Sequence, residues 1–84
     1  MSRHIIRHTH DREADAVYIY MSDKPYAFGE DLDSDRRIDY AADGTPVGIE
    51  LLGVSHGVDL DDLPHRDEIV AELERAGLRV LATK

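Results

Sequence analysis

Residues 16–21 (AVYIYM) show the clearest alternation of side chains in the sequence. Val17, Ile19 and Met21 fall on one side of an extended strand, and Tyr18 and Tyr20 fall on the other, because successive side chains of a β-strand point to opposite faces. Both sides carry large groups. We therefore predict a strand that is central in its sheet or covered on both faces.

Residues 38–51 predict a β-hairpin around an Asp-Gly pair at positions 43–44. Such a pair between alternating apolar residues is typical of a two-residue loop, in which glycine adopts the positive φ that the turn needs. Two apolar pairs then face each other across the hairpin: Tyr40 with Val47, and Ile38 with Ile49. Any register shifted by one residue would bring a carboxylate to the apolar face.

The remaining pattern predicts two more strands and one helix. Residues 3–9 and 26–32 read as shorter strands, and residues 53–63 as a loop. Apolar residues recur at helical spacing from residue 65 to 76, and an apolar tail follows. We predict one α+β domain over residues 1–84: a mostly antiparallel sheet of four to five strands within 5–60, and one C-terminal α-helix with the tail in 61–84.

The net charge of −8 narrows the classes of partner. Nucleic acids and anionic membrane surfaces are bound mainly through Lys and Arg, so neither is expected as a partner. A basic protein or a divalent cation would suit this charge better. The chain has no cysteine, its start lacks the apolar run of a signal peptide, and no segment is long and apolar enough to span a bilayer. We expect a cytoplasmic protein.

His8, His10 and Asp11 form the sharpest chemical cluster in the sequence. Two histidines two positions apart on a strand project from the same face and can chelate one divalent ion, the one cofactor that the residues suggest. The alternative is a polar strand end, in which Asp11 bonds to backbone amides of the following turn. The usual zinc spacings are absent, which favours the strand end.

The sequence patterns that would indicate catalysis are weaker than the pattern that would indicate a metal site. Ser55 and His56 lie side by side between two glycines, but a nucleophile and its base normally converge from separate segments. No glycine-rich phosphate loop is present. We therefore expect a non-enzymatic protein.

Association with another protein, and most simply with a second copy, is the function that we predict. One helix can cover only one face of the sheet, which would leave a large apolar patch exposed. The residues of this predicted interaction surface are Tyr18, Tyr20, Leu78, Val80 and Leu81. A twofold dimer would bury them.

The sequence resembles the bacterial and archaeal family called domain of unknown function 2283 in three segments that occur in order. They are DREADAVYIYMSD, the strand IDY with its Asp-Gly turn, and VGIELLG. The resemblance covers residues 5–60 and implies no catalytic residues. Some members are encoded beside small toxin-like proteins, which implies an antitoxin-like role toward a small basic protein as an alternative. His8 and His10 depart from the family pattern, where an apolar residue and a tyrosine are usual, so a metal site there would not be a family property.

Overall fold

The computed structural model describes residues 4–81 of the chain, with side chains from residue 6 onward. The described elements are β1 (His4–Asp11), β2 (Ala16–Ser22), β3 (Phe28–Asp33), β4 (Arg36–Tyr40), β5 (Pro46–Leu52), a 3₁₀ helix (Val54–His56) and α1 (Arg66–Arg75). All neighbouring strands are antiparallel, in the order β1-β2-β5-β4-β3. The predicted α+β class, with one antiparallel sheet and a C-terminal helix, is confirmed.

The predicted alternation of β2 is confirmed. Val17, Ile19 and Met21 are buried, and Tyr18 and Tyr20 lie on the opposite face. We call the side of the sheet that carries the buried residues the covered face, and the side that carries the tyrosines the open face. β2 lies between β1 and β5, and both the 3₁₀ helix and α1 pack on the covered face.

The loop of the β4–β5 hairpin is one residue longer than predicted. Ala41 N–H donates to the Thr45 carbonyl at 2.8 Å, so residues 42–44 form the loop. The Gly44 N–H donates to the Ala41 carbonyl at 3.0 Å, which closes the turn, and Gly44 has a φ of 85°. A glycine with positive φ at the end of a three-residue loop is a common hairpin solution. The positive φ was predicted correctly, and the loop length was wrong.

A β-bulge restores the predicted register further along the hairpin. Tyr40 is paired with Pro46 instead of Val47, and the register shifts by one residue before Asp39. Ile38 then pairs with Ile49, as predicted. Pro46 has no N–H for the ladder, and an irregular position next to a proline is a usual place for a bulge.

The core is completed by the segment that was predicted only as a loop. Four of its apolar side chains are buried against the covered face and α1: Val54, Val58, Leu60 and Leu63. From α1, Ile69 and Leu73 are fully buried in the same cluster. The loop between sheet and helix is therefore a layer of the core.

The tail after α1 returns to the core. Leu78 and Val80 are partly buried against it, and Val80 forms a parallel bridge with Val58. Val58 N–H donates to the Arg79 carbonyl and Leu81 N–H to the Val58 carbonyl, both at 2.8 Å. Within residues 4–81, no helix has both the length and the apolar character needed to cross a bilayer.

Candidate functional site

His8 connects the edge strand β1 to the helix. Its side chain lies on the covered-face side of β1, because His8 is paired with the buried Ile19. His8 Nδ1 is 2.7 Å from Oε2 of Glu72 on α1, and Glu72 also pairs with Arg75. The hydrogen bond from His8 is the main cause that lowers the pKa of Glu72, and the hydrogen bond from Arg75 lowers this pKa further. In this structure His8 contributes to the packing of α1 on the sheet.

The structure does not gather the three predicted metal ligands at one point. His8 and His10 lie on the same side of β1, as predicted, whereas Asp11 turns away from them, and its Oδ1 accepts the Ala14 N–H at 3.1 Å. Across residues 4–81, no group of three or more His, Asp or Glu side chains is placed to hold a metal ion. The hydrogen bond at Asp11 is the one expected of a turn residue.

Asp15 joins the β1–β2 turn to the 3₁₀ helix. It has a φ of 54°, its Oδ1 accepts the Ser55 N–H at 2.9 Å, and its Oδ2 accepts the Ser55 hydroxyl at 2.7 Å. The Asp15 carbonyl accepts the Val54 N–H at 3.1 Å. The hydrogen bond from the Ser55 hydroxyl is the main cause that lowers the pKa of Asp15. A carboxylate held in its ionised form by this bond is a poor base.

The Ser55–His56 pair lacks the contact that nucleophilic catalysis needs. The Ser55 hydroxyl is directed to Asp15, and no hydrogen bond joins it to the His56 ring in the described part of the chain. A competent pair would bring the hydroxyl and the imidazole within hydrogen-bond reach of each other. Ser55 therefore fixes the turn, through Asp15.

A polar network crosses the open face from β2 to β3. The Tyr18 hydroxyl donates to Oδ2 of Asp39 at 2.7 Å. Arg37 Nε donates to Oδ1 of the same carboxylate at 3.2 Å, and Arg37 Nη2 donates to the Tyr26 hydroxyl at 3.3 Å. Arg37 Nη1 lies 3.7 Å from Asp31 on β3. We call these five residues the open-face network.

Two glycines leave room for this network. The Tyr18 ring lies directly over Gly48 of β5, where an added Cβ would be 2.7 Å from Cε2 of the ring. The Arg37 guanidinium lies over Gly29 of β3 in the same way, with its Nε 2.6 Å from such a Cβ. Glycine in a strand often marks a place where another group approaches the backbone closely. Tyr18 and Arg37 can therefore lie flat against the sheet.

Tyr20 extends the ordered surface to β1. Its ring is 4.9 Å from the Tyr18 ring in an edge-to-face arrangement, with an angle of 67° between the planes. The Arg7 guanidinium carbon lies 4.1 Å above the centre of the Tyr20 ring. Both contacts are favourable, because the face of an aromatic ring is electron-rich and its edge is electron-poor.

The electrostatics of the open face keep Tyr18 neutral and Arg37 charged. Partial burial, followed by the hydrogen bond to Asp39, raises the pKa of Tyr18. Its hydroxyl therefore stays protonated and donates to Asp39 at any physiological pH. The hydrogen bonds to Asp39 and Tyr26 raise the pKa of Arg37, which remains a cation. Glu50 adds an exposed carboxylate beside Tyr18.

The predicted interaction surface is divided between two sides of the molecule. Tyr18 and Tyr20 lie on the open face, as predicted. Leu78 and Val80 are partly buried against the core, so within one protomer they do not form a single patch with the tyrosines. Leu81 remains 38% exposed. The tail is drawn inward because Val58, in the segment predicted as a loop, offers it a buried partner.

Sequence reasoning missed Arg7, Arg37 and Asp39 as parts of this surface. Alternation along each strand already assigns them to the face of the tyrosines, but their contacts depend on strand order. Tyr18 on β2 reaches Asp39 on β4 across the intervening β5. No local pattern in the sequence specifies that order.

Comparison with known proteins gives one family. No curated protein and no solved structure matches the chain. The model of a family described as "Protein of unknown function (DUF2283)" matches residues 8–55. This range contains β2 to β5, the hairpin turn, the Asp15–Ser55 connection and the whole open-face network. The chain belongs to the DUF2283 family.

Proposed function

We propose that this protein is an acidic, non-enzymatic cytoplasmic domain that forms a homodimer through the open face of its sheet. The observation that carries the proposal is the ordered set of aromatic and charged side chains on that face. Tyr18, Tyr20, Arg7 and Arg37 are each held by a neighbouring side chain. Tyrosine and arginine are among the residue types most enriched at the centres of protein interfaces.

Because these side chains are already ordered, association costs less side-chain entropy. Ordering a long side chain at an interface costs about 0.5–1.5 kcal/mol. On the open face, the Tyr18 and Arg37 side chains are already restrained by hydrogen bonds to Asp39. Binding would then lose less side-chain entropy than at an ordinary solvated face.

The charges of the open face favour a second copy as the partner. Arg7 stands on β1, toward one side of the sheet, and Asp31 stands on β3, at the other. Glu50 lies between them on β5. A twofold axis near the tyrosines would place Arg7 of one protomer against the acidic side of the other. Five strands of about seven residues give a face of about 20 by 23 Å, so a dimer interface of about 800 Å² per partner would need the whole face together with the side chains at its rim.

Sedimentation equilibrium of the full chain at micromolar concentration tests the proposal. We expect a dimer mass for the wild type and a monomer mass for Tyr20→Asp, which places a carboxylate among the aromatic side chains of the open face. Phe28→Asp is the matched control, because Phe28 is an aromatic residue of β3 that is 47% exposed and lies on the other side of the sheet. It should remain a dimer.

A wild-type chain that sediments as a monomer would contradict the proposal. So would equal dissociation of the two variants, because the dimer would then not depend on the open face. Circular dichroism of each variant confirms that a change of mass is not caused by unfolding.

A further inference from the structure

A groove lies at the end of the sheet, beside the turn that joins β3 to β4. Its volume is about 390 Å³, and it is bounded by that turn, the end of β5, the segment after the 3₁₀ helix and the tail. Leu52 and Leu81 form its apolar part and are 40% and 38% exposed. Together with Tyr26 and Phe28, they are the four exposed large hydrophobic side chains of the described residues. Solvent-accessible leucines inside a groove offer an apolar contact to a ligand.

The walls of this groove are acidic. Asp33, Asp35 and Asp59 line it, together with the guanidinium of Arg36 and with His56. Asp33 and Asp59 use their Oδ1 atoms to accept backbone N–H groups of Asp35 and Asp61, at 3.0 and 2.9 Å. The carboxylate of Asp35 makes no hydrogen bond within residues 4–81. The groove thus holds its carboxylates on short, ordered turns.

Arg36 does not offset this charge toward a ligand. Its Nε donates to Oδ2 of Asp33 at 2.9 Å, and its Nη1 donates to the carbonyls of Asp61 at 2.6 Å and Asp59 at 3.3 Å. Only 13% of its side chain is exposed. Arg36 therefore links the β3–β4 turn to the segment before α1 through hydrogen bonds. A second guanidinium, that of Arg79, lies beside the groove and donates to the His56 carbonyl at 3.2 Å. Three carboxylates against these two guanidinium groups leave a net negative charge.

We propose that this groove binds a basic segment of another protein, in which an aliphatic side chain lies next to Lys or Arg residues. The aliphatic side chain contacts Leu52 and Leu81, and the cations pair with Asp35 and Asp59. The net charge of −8 of the whole chain accelerates the encounter with such a partner. Nucleic acids and anionic lipid surfaces carry the wrong charge for these walls. Leu52 reaches the groove from the open-face side of β5, where it is paired with Ala16. Asp35, Asp59 and Leu81 lie outside the strands, so the contacts to these residues do not depend on the dimer.

Binding of a labelled peptide to the full-length protein, followed by fluorescence anisotropy at physiological salt, tests the inference. The probe is a short peptide with one leucine between two lysines. Two reference peptides replace the leucine by serine, or both lysines by glutamate. We expect the first peptide to bind at micromolar concentration, the serine peptide to bind about five- to ten-fold more weakly, and the glutamate peptide not to bind.

Variants of the protein locate the binding. Asp35→Asn and Leu81→Ser should each weaken binding of the lysine–leucine peptide by about five- to ten-fold. Asp67→Asn is the matched control: it removes the same charge from a fully exposed position on α1 and should leave the affinity unchanged. Sedimentation of the same variants should show the mass of the wild type, which separates the groove from the open face.

Two results would overturn the inference. If Asp67→Asn weakened binding as much as Asp35→Asn, the peptide would be responding to overall charge. If the lysine–leucine peptide failed to bind at high micromolar concentration, the groove would not be a site for basic segments.

Discussion

The two faces of the sheet are ordered by different forces. On the covered face, side chains such as Ile19, Ile49 and Leu73 are fully buried, and the hydrophobic effect requires little more than the right volume there. On the open face, order comes from directed contacts: hydrogen bonds to Asp39, an edge-to-face ring pair and a cation over a ring. A solvated face needs none of these for the fold alone. The covered face therefore maintains the fold, and the directed contacts of the open face are the observation on which we base the proposed dimer.

The largest expected effect lies on the covered face. Ile49→Ala should lower the free energy of unfolding by about 2–5 kcal/mol, because a fully buried side chain is replaced by a cavity. Leu52→Ala, in the same strand but 40% exposed, is the matched control and should cost less than about 1 kcal/mol. Urea denaturation measures both. Equal costs would contradict the division into two faces.

Gly48→Ala tests the close contact on the open face. The added Cβ collides with Tyr18, so we expect a loss of about 1–3 kcal/mol. In a Tyr18→Ala background, the cost should fall below about 1 kcal/mol. Gly44→Ala, where no atom lies within 4 Å and the cost comes from the positive φ, should cost the same in both backgrounds. Denaturation of the four variants and their parents gives the comparison.

Tyr18→Phe should have a smaller effect on stability. It removes the hydrogen bond to Asp39, worth about 0.5–1.5 kcal/mol, but Asp39 keeps its bond to Arg37. Tyr20→Phe is the control, because the Tyr20 hydroxyl makes no hydrogen bond within residues 4–81. Equal melting temperatures for the two variants would mean that the Tyr18–Asp39 bond contributes nothing in solution.

The smallest effect concerns pH and the contact of α1 with β1. The folded-state pKa of Glu72 lies below the ordinary value of 4.5. Its stabilisation is therefore complete above that value and is lost as the pH falls through the lower folded-state pKa. Melting curves between neutral and acidic pH should show a weaker pH dependence for Glu72→Gln than for the wild type. Glu74→Gln, an exposed position on the same helix, should follow the wild type.

Much of the fold could be predicted because its information is local. The alternation in β2, the helical spacing of Ile69 and Leu73, and the glycine of the hairpin turn each act within a few residues. The three-residue loop and the bulge next to Pro46 were missed because their effects on register cancel before Ile38 and Ile49. The register was predicted by matching apolar residues across the hairpin. Such matching cannot detect a longer loop whose shift of register is reversed by a bulge.

The candidate site was less accessible to sequence reasoning. The tyrosines could be assigned to a surface, but their partners lie on strands that are not adjacent in the sequence. The role of Gly48 depends on a ring from β2 crossing its backbone, which requires the pairing of β2 with β5. His8 and Val58 show the same limit, because each has its partner in a distant part of the chain.

The central position of β5 also determines when the sheet can be completed during synthesis. β5 is the last of the five strands in the sequence, yet it pairs with both β2 and β4. The β1–β2 hairpin and the β3–β4 hairpin can form locally, within microseconds. On a ribosome, however, β2 has no inner neighbour until Pro46–Leu52 has left the exit tunnel. Until then, β2 and β4 each have an unpaired inner edge, and the addition of one seven-residue strand completes the sheet.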